Sequence, residues 1–140
     1  MYCLEFNKDV FPELNYQKFE DIEINKIKNL IEAGIKEGAT LVSGGSNAPK
    51  GYNKEEDIYP AIFANVTNDM TIAKEEIFGP VLSILGYKDQ EDAIKIANET
   101  IYGLSGYVSS ENIDNANAVA SRLRTGNVHI NNAPGDQSAP

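Results

Sequence analysis

Cysteine is almost missing from this sequence, and with Cys3 as the one thiol the chain can form no internal disulfide. Histidine is as scarce: His129 stands far from Cys3 in sequence, and the two residues cannot build a zinc site without further ligands. Cations are in deficit, with 12 Lys and Arg against 21 Asp and Glu, which leaves a formal net charge of −9. Nucleic acid and anionic membrane surfaces both call for clustered basic side chains, so neither is expected as a partner. Long apolar runs are lacking too, and none approaches the roughly 20 residues of a membrane span. Met1–Val10 carries acids where a secretory signal would have a basic segment and an apolar core. The expected location is therefore the cytoplasm.

What is present is ordinary for one globular domain, with 41% hydrophobic and 24% charged residues, enough to bury a core. Met1–Glu20 shows no sustained period, and Pro12 interrupts it. From Asp21 to Glu37 the residues Ile24, Ile27, Ile31 and Ile35, with Leu30 beside them, recur at helical spacing, and Gly38 sits where a C-terminal cap belongs. "ATLVSGG" predicts a short buried strand closed by two glycines, "SNAPKGYNKEED" a polar loop, and Ile58–Val66 a second strand.

Beyond these, Val81–Tyr87 predicts a strand and Asp89–Glu99 a helix capped by the Asp89 carboxylate. Ser105–Ser109 predicts another strand. Ile113–Leu123 follows as a helix, with Ala116, Ala118, Val119 and Leu123 as its buried side and Arg122 and Arg124 facing the partial negative charge of its end. Gly126 is the expected cap of that helix, and Val128–Ile130 a last strand. Strands alternating with helices imply an α/β layered fold with at least partly parallel pairing.

The stretch "KEEIFGPVLSI", Lys74–Ile84, fits this scheme least well, because paired acids and an aromatic ring stand just ahead of a strand. A structural reading makes Glu76 a solvated acid and Phe78 a core residue under a turn. In chain order, "GYNKEEDIYPAIFANVTNDMTIAKEEIFGPVLSI", "DAIKIANETIYGLSGYVSS" and "LRTGNVHINN" resemble the C-terminal part of the NAD(P)-dependent aldehyde dehydrogenase superfamily, over roughly Ile27–Pro140. Several ordered motifs carry the resemblance, which makes it more specific than a lone glycine fingerprint.

The resemblance implies a partial three-layer α/β catalytic domain of the aldehyde dehydrogenase type, lacking the N-terminal dinucleotide-binding domain. Residues 1–20 are then a divergent N-terminal segment and residues 21–140 the C-terminal portion of the catalytic domain. It also implies that Glu76 binds the hydroxyls of the ribose attached to nicotinamide and that Phe78 packs beside that ring. The residue types suit such roles, since an ionised carboxylate accepts from two neighbouring hydroxyls and an aromatic face gives flat apolar contact to a heterocycle. Gly79 lets the backbone approach closely, and Pro80 sets the path into the strand. Asn98 and Thr100 are expected to satisfy backbone groups at a helix end; Asn131 and the following "NAPGDQSAP" are expected to line an aldehyde channel, with Asn131 structural rather than catalytic. His129 is expected to be a core or edge residue.

The family reaction needs a cysteine thiolate, a glutamate base and a nicotinamide hydride acceptor. "MYCLEF" lacks the Gly-Gln-x-Cys-type context of the family nucleophile, so Cys3 is not assigned that role, and the base and the dinucleotide domain fall upstream of the resembling region. No catalytic residue is therefore assigned within the chain. Ala61 departs from the Thr that usually follows the matching proline, which puts the hydrogen bonding there in question.

The expectation is a truncated gene product, or an open reading frame from a disrupted gene, of a family that oxidises aldehydes to acids with NAD or NADP, inactive alone and marginal in stability or self-associating. The alternative is a non-enzymatic module that pairs with a full-length homologue or another partner. A stand-alone nucleotide-binding domain finds little support, because "LVSGGSNAPKG" leads into a polar loop and presents no helix N-terminus to phosphate.

Overall fold

In the computed structural model, residues 21–47 and 58–131 are described. Among the described residues nine elements follow one another: α1 (Asp21–Lys36), β1 (Thr40–Gly45), β2 (Tyr59–Val66), α2 (Thr71–Lys74), β3 (Val81–Leu85), α3 (Gln90–Asn98), β4 (Ser105–Val108), α4 (Ile113–Ala120) and β5 (Asn127–Ile130). The first three strands form one sheet in the order β1-β2-β3, with β1 antiparallel and β3 parallel to β2. A second sheet pairs β4 and β5 in parallel. The α/β class and the mixed pairing match the expectation from alternating elements.

α1 forms because its isoleucines fall on one side. Ile24, Ile27 and Ile31 are buried, and this stripe closes over Ala61, Phe63 and Val66 of β2. Phe63, which has no exposed surface, is the centre of the core. Ile35 lies off the stripe and is nearly half exposed. The helix ends as predicted, with Gly38 in the left-handed region at φ 99°.

The first strand departs from its expected burial. Among the described residues β1 is an edge strand with Val42 well exposed, because β2 alone pairs with it there and α1 covers one face of the sheet. On the uncovered face Leu82 and Ile84 of β3 are also exposed, while Val81 and Leu85 face the core. At Ala61 the backbone N–H donates to the Pro80 carbonyl at 2.9 Å, and the side chain is buried. Backbone atoms therefore make the bond in question, and the methyl group leaves no hydroxyl to satisfy in the core.

α3 starts as expected, with the Asp89 carboxylate accepting from the Asp92 N–H at 2.9 Å, and Asp92 in turn accepting from the Lys88 N–H at 3.0 Å. α4 is shorter than expected. It stops at Ala120, Ala118 is exposed, and Ala116 is its buried residue. Arg122 and Arg124 consequently do not sit in the last turn; both reach α3. Arg122 grips Glu91 through both terminal guanidinium nitrogens at 2.5 and 2.6 Å, and Arg124 donates to the carbonyls of Asn98 and Thr100. Gly126 donates its N–H to Gly103 instead of capping α4. Asn98 satisfies backbone groups of the segment after α4, donating to the Arg122 carbonyl at 2.8 Å and accepting from the Arg124 N–H at 2.7 Å. Its side-chain amide thus satisfies backbone groups, as expected, and ties the end of α3 to the segment after α4.

Candidate functional site

The loop between α2 and β3 places the two predicted cofactor residues. α2 is a single turn that the periodicity did not reveal, since four residues carry too little pattern to be seen. Its end is marked by the Glu75 N–H donating to the Thr71 carbonyl at 2.9 Å. Two three-residue turns then follow directly: the Gly79 N–H donates to the Ile77 carbonyl and the Val81 N–H to the Gly79 carbonyl, each at 2.8 Å. Phe78 occupies the apex of the first turn and Pro80 that of the second.

This backbone sorts the side chains. Ile77 packs on the core, whereas Glu76 is exposed and Phe78 leaves 70% of its surface open. The reading of Phe78 as a core residue under a turn is therefore excluded. Gly79 serves the core side of the loop: a Cβ there would stand 2.6 Å from Cδ1 and 3.0 Å from Cγ1 of buried Ile27. Its close approach is thus to α1, while the preceding Phe78 ring stands outside the core. The Pro80 carbonyl, bonded to the Ala61 N–H, fixes the far end to β2. Glu76 makes no hydrogen bond or ion pair with another described residue, so both oxygens are free to accept.

Glu37, which the sequence reading passed over, holds the near end. Its carboxylate accepts from the Thr71 N–H at 2.6 Å and from the Thr71 hydroxyl at 2.5 Å. These bonds hold its pKa below the usual glutamate value, the hydroxyl contributing most. One signal was available: an acid directly after the last residue of α1 sits where the helix dipole disfavours negative charge, so a partner elsewhere is implied. Asp69 is likewise held low by the Thr67 hydroxyl, which donates to it at 2.5 Å.

The other expected residues are structural. Asn131, in the left-handed region at φ 50°, uses its amide like a piece of backbone: Oδ1 accepts from the Ser110 N–H and Nδ2 donates to the Ser110 carbonyl, both at 2.9 Å. His129 is an edge residue, stacked on Tyr107 with ring centroids 5.0 Å apart. Thr100 accepts from the Tyr102 N–H at 3.2 Å. Cys3, the segment 1–20, most of the polar loop after β1 and the stretch "NAPGDQSAP" from Asn132 lie outside the described residues. Among the described residues no group of His, Cys, Asp and Glu could hold a metal, and no helix is long and apolar enough to cross a membrane. A groove of about 350 Å³ runs between α3, α4 and β4, but none of its lining residues belongs to the Glu76 loop.

The exposed acid and ring, on a turn pinned at both ends, suit the sugar and heterocycle of a nicotinamide riboside. A site for the pyrophosphate, a glycine-rich turn opening a helix, is not found among the described residues.

Comparison with known proteins bears on the same region. The model of the aldehyde dehydrogenase family matches residues 19–140. A 3-succinoylsemialdehyde-pyridine dehydrogenase from a Pseudomonas species is 48% identical over 119 residues, 85% of this chain and 25% of that protein. A Mycobacterium tuberculosis aldehyde dehydrogenase in complex with NAD+ superposes with a TM-score of 0.80 at 42% identity, covering 86% of this chain and 25% of that one. Aldehyde dehydrogenase C from Pseudomonas syringae, a mutant in complex with NAD+ and octanal, superposes with a TM-score of 0.80 at 39% identity, over 84% of this chain and 24% of that one. The chain spans about a quarter of the length of the relatives it matches.

Proposed function

The chain belongs to the aldehyde dehydrogenase family, and on that premise we propose that it supplies one edge of the nicotinamide site of an enzyme that oxidises an aldehyde to a carboxylic acid with NAD or NADP. In this reading residues 21–140 are the C-terminal portion of the catalytic domain and residues 1–20 a divergent segment. The observation that carries it is the outward Phe78 ring, 70% exposed, beside a carboxylate with no protein partner among the described residues.

The two side chains divide the work. Glu76 accepts hydrogen bonds from the two ribose hydroxyls and so orients the sugar next to the nicotinamide. Phe78 covers one side of the heterocycle and sheds water from it. The cofactor itself supplies the hydride acceptor. The Cys3 thiol lies outside the family's nucleophile context, and no base is assigned, so these 140 residues alone are expected to turn nothing over.

Two measurements test this. The pure chain, incubated with NAD and a panel of aldehydes, is expected to form no reduced cofactor; turnover that disappears in Cys3→Ser would overturn the inactive reading. Saturation-transfer NMR with nicotinamide mononucleotide is expected to show weak contacts at the nicotinamide and ribose protons, lost in Phe78→Ala and Glu76→Gln. Equal contacts in wild type and both variants would remove the roles given to these residues.

A second reading, an interaction module, is favoured by the uncovered sheet face with Val42, Leu82 and Ile84 exposed. About half of each side chain is still open to water, so covering them stabilises by roughly 1 kcal/mol each, an incentive to associate. Light scattering of the chain, alone and mixed with an intact homologue, is expected to show association that Leu82→Lys weakens; a monodisperse monomer in both mixtures counts against it.

A further inference from the structure

We propose that Glu37 is a positioning residue for the loop that carries Glu76 and Phe78, an inference that rests on the cofactor reading of that loop. α2 is too short to orient itself, because one helical turn carries the cost of nucleation with almost no propagation. Its N-cap residue, Met70, makes no side-chain cap. Glu37 substitutes for it from the end of α1, taking both the N–H and the hydroxyl of Thr71.

The path from Glu37 to the site is short and continuous. Thr71, held by Glu37, accepts through its carbonyl from the Glu75 N–H, and Glu76 is the next residue. α1 supplies a second seat for the same turn. Ile72 of α2 lies over Gly34, where a Cβ would stand 2.8 Å from the Ile72 Cδ1. On the far side of the loop, Gly79 over Ile27 and the Pro80–Ala61 bond are fixed by packing and backbone. Among the described residues Glu37 is therefore the ionised side chain in the loop's anchorage, and it acts at the end nearest Glu76. Asp69 and Lys74 are the charged groups whose fields bear on it, in opposite senses.

The experiment is amide NMR of the full chain, comparing wild type with Glu37→Ala, Thr71→Val and Thr71→Ser. Glu32→Gln, on α1 away from the loop's anchorage, is the control. Glu37→Ala and Thr71→Val are expected to shift and broaden the amides of Glu75–Gly79 while those of Ile31 and Phe63 keep their positions. Thr71→Ser, which retains the hydroxyl and the N–H, is expected to restore the wild-type spectrum, as Glu32→Gln leaves it unchanged. Titration with nicotinamide mononucleotide is expected to show several-fold weaker binding in Glu37→Ala. Loop amides that stay in place in Glu37→Ala overturn the proposal. If instead those amides move while the wild type fails to bind the mononucleotide, the positioning role stands and the cofactor reading of the loop falls.

Discussion

Gly79 and Phe78 are neighbours with opposite obligations. Gly79→Ala would push a methyl group into Ile27, which is buried with its Cδ1 only 2.6 Å away, so one of the two must move within a packed core. Overpacking of this kind costs about 1–3 kcal/mol, and a urea titration of Gly79→Ala is expected to show a lower midpoint with an unchanged slope. Phe78→Ala removes a ring that touches mostly water, so its midpoint is expected to stay near that of the wild type. The contrast separates a residue kept for the fold from one kept for what it meets outside. Sequence reasoning named both positions through the resemblance, but it left the glycine's close approach without a neighbour, and that neighbour is Ile27 of α1. A glycine in sequence announces that something comes close and says nothing of what.

Among the elements, the links that matter are those periodicity cannot carry. The isoleucine stripe of α1, the strand β2 and the Asp89 cap of α3 were legible, because each is written in local spacing or in one side chain beside its own helix. The end of α4, the turn α2 and the grip of Arg122 on Glu91 were not, since each depends on which distant segment arrives nearby. That ion pair joins α3 to the segment after α4 with a two-pronged geometry, holding Glu91 below and Arg122 above their ordinary pKa values, in each case chiefly through the hydrogen bonds between them. Both partners face solvent, so Glu91→Gln is expected to lower the melting temperature only slightly, and the difference is expected to shrink as salt is added. An equal loss at low and high salt would show that packing, not charge, joins these elements.

For the molecule as a whole, acid is the condition that tests the ties together. Glu37, Asp69 and Glu91 all have folded pKa values below their ordinary ones, because each carboxylate accepts hydrogen bonds in the fold. Their contribution is present above the unfolded pKa values and is lost as pH falls through the depressed ones. Circular dichroism at fixed temperature is therefore expected to hold steady down to about pH 4 and to fall below it, with Glu37→Ala shifting the midpoint upward. The first sheet and its helices also occupy one continuous run of sequence, and the main hydrophobic cluster lies between Ile24 and Leu85, with Ile94 and Ala116 buried outside it. The pair β4–β5 has four residues in each strand, and the exposed Tyr107 and partly exposed His129 stack on one of its faces. Opening of the second sheet then sacrifices little apolar contact, and opening of the first sacrifices nearly all of it. Deuterium uptake is expected to record this as two classes of amide, a slow one centred on Ile62 and Phe63 and a fast one in Ser105–Val108 and Asn127–Ile130. The chain would thus come apart from its C-terminal side while the first sheet and α1 still keep the Glu76 loop in shape.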